Sequence, residues 1–381
     1  MRIVCSLALT ALLTAAFAAP LQATPQFARQ YRQDCSFCHL APPVLNARGE
    51  DFLARGYRFA DAVAPVPSHQ TVPLALWSTL DYERRTNTNK AFPSRVELIS
   101  AGPLGRSKAA YFIEWRLLSQ QIASRNALLN RSGRFEDLFV TSPVGRSPVS
   151  VTVGQFRSIA QVDISRRLSI SEPAVFSTSL PGPAAASARL TGLRAFSSSG
   201  RQPAVRVMWQ QRIQDRPADG WYAGVTVPLT GELTIPIGDG ASFEVEARPK
   251  GVVLESFRRS GLRSAGGHVF VGDDRQLGLA VVSWPVFTRL LVTAAGGLES
   301  VGSTTEMRVG VQGEMFFNRM VSAAARIEDR TGAARPVAGV LTLNVHAPFG
   351  PAWLRNALRL QVEQRIQAGD HRTLLGLSHV F

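Results

Sequence analysis

From about Val72 to Phe381 the chain has no long apolar run and no sustained helical period; apolar and polar side chains alternate instead. In Ser303–Phe317, residues Glu306, Arg308, Gln312 and Glu314 fall on one face, and Met307, Val309, Val311, Met315 and Phe317 on the other. Leu358, Leu360 and Val362 alternate with Arg359, Gln361, Glu363 and Arg365, and Val205, Val207 and Trp209 with Arg206, Met208, Gln210 and Arg212. Tyr111, Ile113, Trp115 and Leu117 alternate with Glu114 and Arg116. A period of two is that of a strand with one wet and one apolar face. Carried to the end of the chain, it leaves a soluble β protein or a closed barrel.

Three features favour the barrel. The polar faces carry long charged side chains of both signs, which suit a watery lumen better than a packed interior. The chain ends Leu375-Gly376-Leu377-Ser378-His379-Val380-Phe381, which resembles the assembly signal of bacterial outer-membrane barrels, with His379 where an aromatic is more usual. A long exported chain without a structural disulfide also fits a closed sheet, which has no edge to protect. Counting segments gives about 16 strands of ~10 residues. The expected fold is therefore mainly β: an outer-membrane antiparallel β-barrel over residues 72–381, in contact with outer-membrane lipid. A large soluble periplasmic β protein is the alternative.

The leading residues 1–23 read as a secretory signal peptide: Met1-Arg2, then an uncharged run from Ile3 to Ala19, then small residues suited to cleavage. Of three cysteines, Cys5 lies in that leader, so the exported chain keeps Cys35 and Cys38, in the run Cys35-Ser36-Phe37-Cys38-His39. Two thiols at this spacing can add to the two vinyl groups of one haem, and the next residue then offers imidazole to the iron. A redox dithiol would call for a βαβ domain, and a zinc site for further ligands nearby; the sequence offers neither. One covalent haem c, held by Cys35, Cys38 and the proximal ligand His39, is the expected cofactor.

Residues 24–61 form the expected haem module, and 62–71, with Pro65 and Pro67, a linker. Asn46 is placed to cap a short helix with Glu50 and Asp51 early in it, Leu45, Phe52 and Leu53 on its apolar side, and Gly56 as its stop. The module is a small α-helical unit too short to stabilise itself without a staple. It contains no methionine, and its one histidine is His39. The distal position of the iron then falls to His69, Met208 or His346, in that order, or stays open.

The formal net charge is +14, with Lys90, Lys108 and Lys250 the only lysines among 42 basic residues. Such a chain suits anionic surfaces or acidic partner proteins. It has no aromatic-basic recognition motif and, once exported, no access to nucleic acid. It has no phosphate loop, nucleophile elbow or His-Glu-x-x-His motif.

The run Ala23-Thr24-Pro25-Gln26-Phe27-Ala28-Arg29-Gln30, then Cys35-Ser36-Phe37-Cys38-His39, Pro43, Leu45, Gly49, Phe52, Gly56 and Tyr57, resembles the fused monohaem cytochrome–porins of iron-oxidising bacteria. The match covers about Ala23 to Tyr57; the barrel agrees in architecture. The chain departs at Tyr31-Arg32-Gln33-Asp34 and Gly49-Glu50-Asp51, where that family often has a basic, glycine-containing stretch. The resemblance implies electron transfer across the outer membrane from an extracellular donor, such as the ferrous metal ion, to periplasmic electron carriers. Two other readings stand beside it: a haem enzyme or ligand sensor with an open axial site, and a solute porin in which the haem is a structural plug.

Overall fold

A computed structural model describes residues 26–59, 73–85, 88–105, 107–122, 128–130, 134–157, 187–190, 193–196, 201–213, 216–228, 231–238, 241–247, 251–272, 275–318, 320–331, 338–346, 358–367 and 370–380. The leader at 1–23, the linker with His69, and the terminal Phe381 lie outside them.

Sixteen strands close into one antiparallel barrel, as the alternation predicts. In chain order they are β1 (Ala75–Arg85), β2 (Thr88–Pro103), β3 (Ala110–Leu118), β4 (Arg134–Pro143), β5 (Val149–Arg157), β6 (Arg201–Ile213), β7 (Arg216–Pro228) and β8 (Val252–Ser260). There follow β9 (Arg263–Val271), β10 (Arg275–Phe287), β11 (Leu290–Val301), β12 (Thr304–Phe316), β13 (Val321–Arg330), β14 (Ala338–His346), β15 (Leu358–Gln367) and β16 (Asp370–Val380). Each strand pairs with its chain neighbours, and β16 closes on β1 through Thr373↔Arg84 to Val380↔Trp77.

The barrel inverts the usual burial of a soluble protein. Met307, Val309 and Val311 point outward, with Val311 52 % exposed, while Arg308, Gln312 and Glu314 of the same strand are buried in the lumen. Leu341 is 58 % exposed and Thr342 is 4 %. An apolar exterior around a polar interior is the arrangement of a wall that meets hydrocarbon.

The two ends differ. At the end that holds both termini of the barrel, connections are short (104–109, 144–148, 214–215, 261–262, 288–289, 317–320), with 347–357 the longest. The opposite end carries the long connections 119–133, 158–200 and 229–251. Within the last two, Leu193–Phe196, Ser187–Leu190, Ala241–Ala247 and Gly231–Gly238 pair as a separate four-stranded sheet.

Residues 26–59 occupy the mouth at the short-turn end. They comprise α1 (Gln26–Tyr31), a 3-10 turn at Cys35–Phe37, a small hairpin of His39–Ala41 with Val44–Leu45, and α2 (Ala47–Ala54). Asn46 caps α2 as its position predicts, accepting from the Gly49 N–H at 3.0 Å. After the last turn, Gly56 takes φ +68°. The sequence predicts no helix at α1; its apolar side joins an aromatic cluster in which Phe27 and Tyr31 pack on Phe52 and Tyr57. The Tyr31 hydroxyl donates to the Tyr57 carbonyl at 2.6 Å.

Candidate functional site

Cys35, Cys38 and His39 stand together on one tight turn. The Phe37 N–H donates to the Asp34 carbonyl at 2.9 Å, and the Cys38 N–H to the Cys35 carbonyl at 3.2 Å. The start of α2 is laid over this turn: the Asn46 N–H donates to the Cys38 carbonyl at 2.9 Å, and its side-chain amide to the Phe37 carbonyl at 3.2 Å. Arg48 places its guanidinium 4.0 Å from the centre of the Phe37 ring. The turn is thereby fixed by the helix cap, which positions the two thiols and the imidazole relative to each other.

Both thiols are free and partly buried. Burial pushes the Cys35 thiol up, and pushes Cys38 up to about 11 despite Arg48 nearby. A reactive dithiol or a zinc half-site draws on a stabilised thiolate, so the shifts run against both. Burial takes His39 the other way, down to about 4, opposed by the backbone of Pro43 and Val44. Its imidazole is then neutral near pH 7, the form that binds iron.

The module is tied to the wall at separate places. On one side, Glu50 of α2 accepts from Arg259 of β8 at 2.6 Å, and Asp51 accepts from the Ala218 N–H of β7 at 2.9 Å. On the other, Ala41 and Val44 of the hairpin pack with Leu291, Phe316 and Ala324 of β11 to β13. There Arg359 of β15 donates to the Pro42 carbonyl at 3.4 Å. At the rim, Arg29 donates to the Leu74 carbonyl.

The three distal candidates separate in space. His69 lies outside the described residues. Met208, on β6, faces the lumen as its alternation predicts, but beside Gly224 on the α2 side. There it lines a cavity of about 640 Å³ with Leu53, Tyr57, Tyr222 and Arg259. His346 ends β14 on the hairpin side, buried at 2 % exposure, beside its cross-strand neighbour Arg359, which bonds the hairpin at Pro42. The structure thus places His346, and not Met208, on the strand between the two that touch the hairpin of His39.

Higher in the lumen, Glu97, Glu114 and Glu136 bring carboxylate oxygens within 4.8 Å of one another, the one such ligand-type group among the described residues. Arg116 bonds Glu97 at 2.9 Å and reaches Glu136 as well, and Arg95 approaches Glu97 at 3.3 Å. With these two guanidiniums, the group is an ion-pair network of the wall. Similar networks join Arg372 to Glu83 at 2.6 Å, and Arg275 and Arg308 to Glu299. The alternation places Glu114, Arg116 and Arg308 on the lumenal face, but says nothing of which pairs form across strands.

No family model and no curated protein matches the chain. Solved structures match it over the barrel. The OmpF of Salmonella typhi, in complex with daunomycin, is 10% identical, covers 81% of this chain and 97% of its own, and superposes with a TM-score of 0.51. The fold is porin-like. A mutant of the Rh. blastica porin, 11% identical over 81% of this chain and 99% of its own, gives a TM-score of 0.49. At these identities the likeness concerns fold alone.

Proposed function

We propose that this porin-like barrel is an outer-membrane electron conduit, its single covalent haem carried by Cys35, Cys38 and His39 in the periplasmic mouth. The observation that carries the reading is the placement of the Cys35–His39 turn inside the barrel end with the short connections. In outer-membrane barrels short turns face the periplasm and long loops the outside. The residues present fit the group: two neutral thiols on one rigid turn, a buried neutral imidazole next to them, and an apolar cluster of Ala41, Val44, Leu291 and Phe316 close by.

A haem held by Cys35, Cys38 and His39 would supply a one-electron couple between an extracellular reductant of the metal-ion class and a periplasmic carrier. The apolar band of such walls is about 25 Å tall. With the module at the inner end, a small donor descends the lumen from the long-loop end, and a carrier protein docks at the mouth. Glu97, Glu136, Glu299 and Glu83, each paired with arginine, line that descent with fixed alternating charge. The rim cations Arg29 and Arg58, held on the Leu74 and Ser107 carbonyls, present a basic face to an acidic carrier.

The test is haem staining of the full-length protein on a denaturing gel, followed by reduction of the purified protein with ferrous iron. Staining is expected in wild type and lost in the double variant Cys35→Ala/Cys38→Ala. A wild-type band without haem would remove the reading.

The cavity beside α2 favours a second reading, a solute porin in which the module narrows the lumen. Its lining carries Arg55, Arg58, Lys108, Arg206 and Arg259 against Glu50 and Glu255, a basic route past the plug. Conductance with anion preference and no redox change on adding ferrous iron would support it.

A further inference from the structure

The geometry points to His346 as the second axial ligand of the haem, supplied by the barrel wall to a module that has none of its own. This rests on the haem reading above. His346 closes β14 at the module's end of the barrel, with its backbone N–H donated to the Met320 carbonyl at 2.7 Å. Its ring is 2 % exposed, and both ring nitrogens are buried without a hydrogen-bond partner. Among the described histidines no other has both nitrogens in that state. Buried polar atoms are bonded as a rule, because leaving them unbonded forfeits their hydration. An imidazole held in this way is suited to a partner that the polypeptide does not provide.

Its neighbourhood names the partner. His346 closes β14, which lies between β13 and β15, and both of those strands touch the hairpin that bears His39. Arg359, the cross-strand neighbour of His346, holds the Pro42 carbonyl of the same hairpin at 3.4 Å. Ala41 and Val44 of that hairpin form an apolar cluster with Leu291 and Phe316 of the wall, of the kind a porphyrin edge packs on. The other candidates are placed elsewhere or occupied. Met208 sits on β6, half the circumference away from β14. His268 lies 3.6 Å from Glu255, and His371 is exposed.

Ligation from both sides makes the iron a cross-link between module and wall, so the haem staples the plug in place. It also sets the electronic character: two imidazoles give a lower potential than an imidazole with a thioether.

The experiment uses the purified, haem-loaded full chain in detergent as wild type, His346→Ala, His346→Met and Met208→Ala. Wild type is expected to be low-spin in both oxidation states, with the near-infrared magnetic circular dichroism of two nitrogen ligands. His346→Ala should turn high-spin in the ferric state and return to low-spin on adding imidazole. His346→Met should stay low-spin with a raised midpoint potential, and Met208→Ala should match wild type. A low-spin spectrum unchanged in His346→Ala, or a high-spin wild type, would overturn the assignment. Where His346→Ala fails to assemble, a sulfur-ligand signature in wild type or an unshifted potential in His346→Met overturns it equally. A wild type with no haem stain strikes the haem reading itself, a result visible on the gel before any spectrum.

Discussion

Gly49 shows how closely the Cys35–His39 turn is fitted to the helix above it. A Cβ at this position would lie 2.3 Å from the Cys38 carbonyl oxygen and 2.9 Å from Leu45. On helix propensity alone, Gly→Ala gains about 1 kcal/mol. The contact is with backbone, which cannot swing aside, and overpacking of that kind costs about 1–3 kcal/mol. The steric term wins, so Gly49→Ala is expected to lift α2 off the turn and lower the yield of haem-stained protein, while Asn46→Ala loses a cap worth ~1 kcal/mol. A Gly49→Ala variant that stains as fully as wild type would contradict this fit. The spacing of Cys35, Cys38 and His39 and the capping role of Asn46 are legible in the sequence because they are local. The approach of the end of β14 to the hairpin is not, since nothing local relates that strand to the module.

At the scale of elements, α2 and the hairpin act as two feet on separate stretches of the wall. Glu50 with Arg259, and Asp51 with the Ala218 N–H, hold the first foot. Both bonds are partly screened by solvent, so each contributes about 1 kcal/mol or somewhat more. The combined variant Glu50→Gln/Asp51→Ala is expected to free that foot and open the route past Met208, read as raised single-channel conductance in planar bilayers with the barrel intact. Unchanged conductance would mean that the module is held by the hairpin side alone. Sequence alternation assigns faces on β3, β6, β12 and β15, yet it cannot pair Glu50 with Arg259, because such a contact depends on where the plug lands.

For the whole molecule, the sign of the exterior makes the sharpest difference. Leu341 points outward at the middle of β14, between Val340 and Thr342, both buried on the lumenal side of the wall. In a protein surrounded by water, an exposed Leu→Arg change lies within about 0.5 kcal/mol of neutral. In a wall facing hydrocarbon it costs about 2–4 kcal/mol near the midplane. Leu341→Arg is therefore expected to reduce the fraction that fractionates with outer membranes and migrates faster on unheated gels. Full recovery as a soluble monomer would count against the membrane wall. The strand number was legible because the period-two signal repeats in every strand; the long outer connections were not, since no period runs through them.

The seam between β16 and β1 has a kinetic consequence. Thr79 bonds Ser378 at 3.3 Å across a sequence separation of 299 residues. Each doubling of loop length adds about 0.6 kcal/mol to closure, so this pairing starts roughly 3–4 kcal/mol behind a tight hairpin. The seam is thus the last ladder to form, and until it does, β1 and β16 are bare edges open to foreign strands. The segment bearing Cys35 to His39 is tethered directly ahead of β1, on the waiting side of that gap. Maturation is consequently a race between zipping and intermolecular pairing, in which the tethered segment travels with the slowest partner.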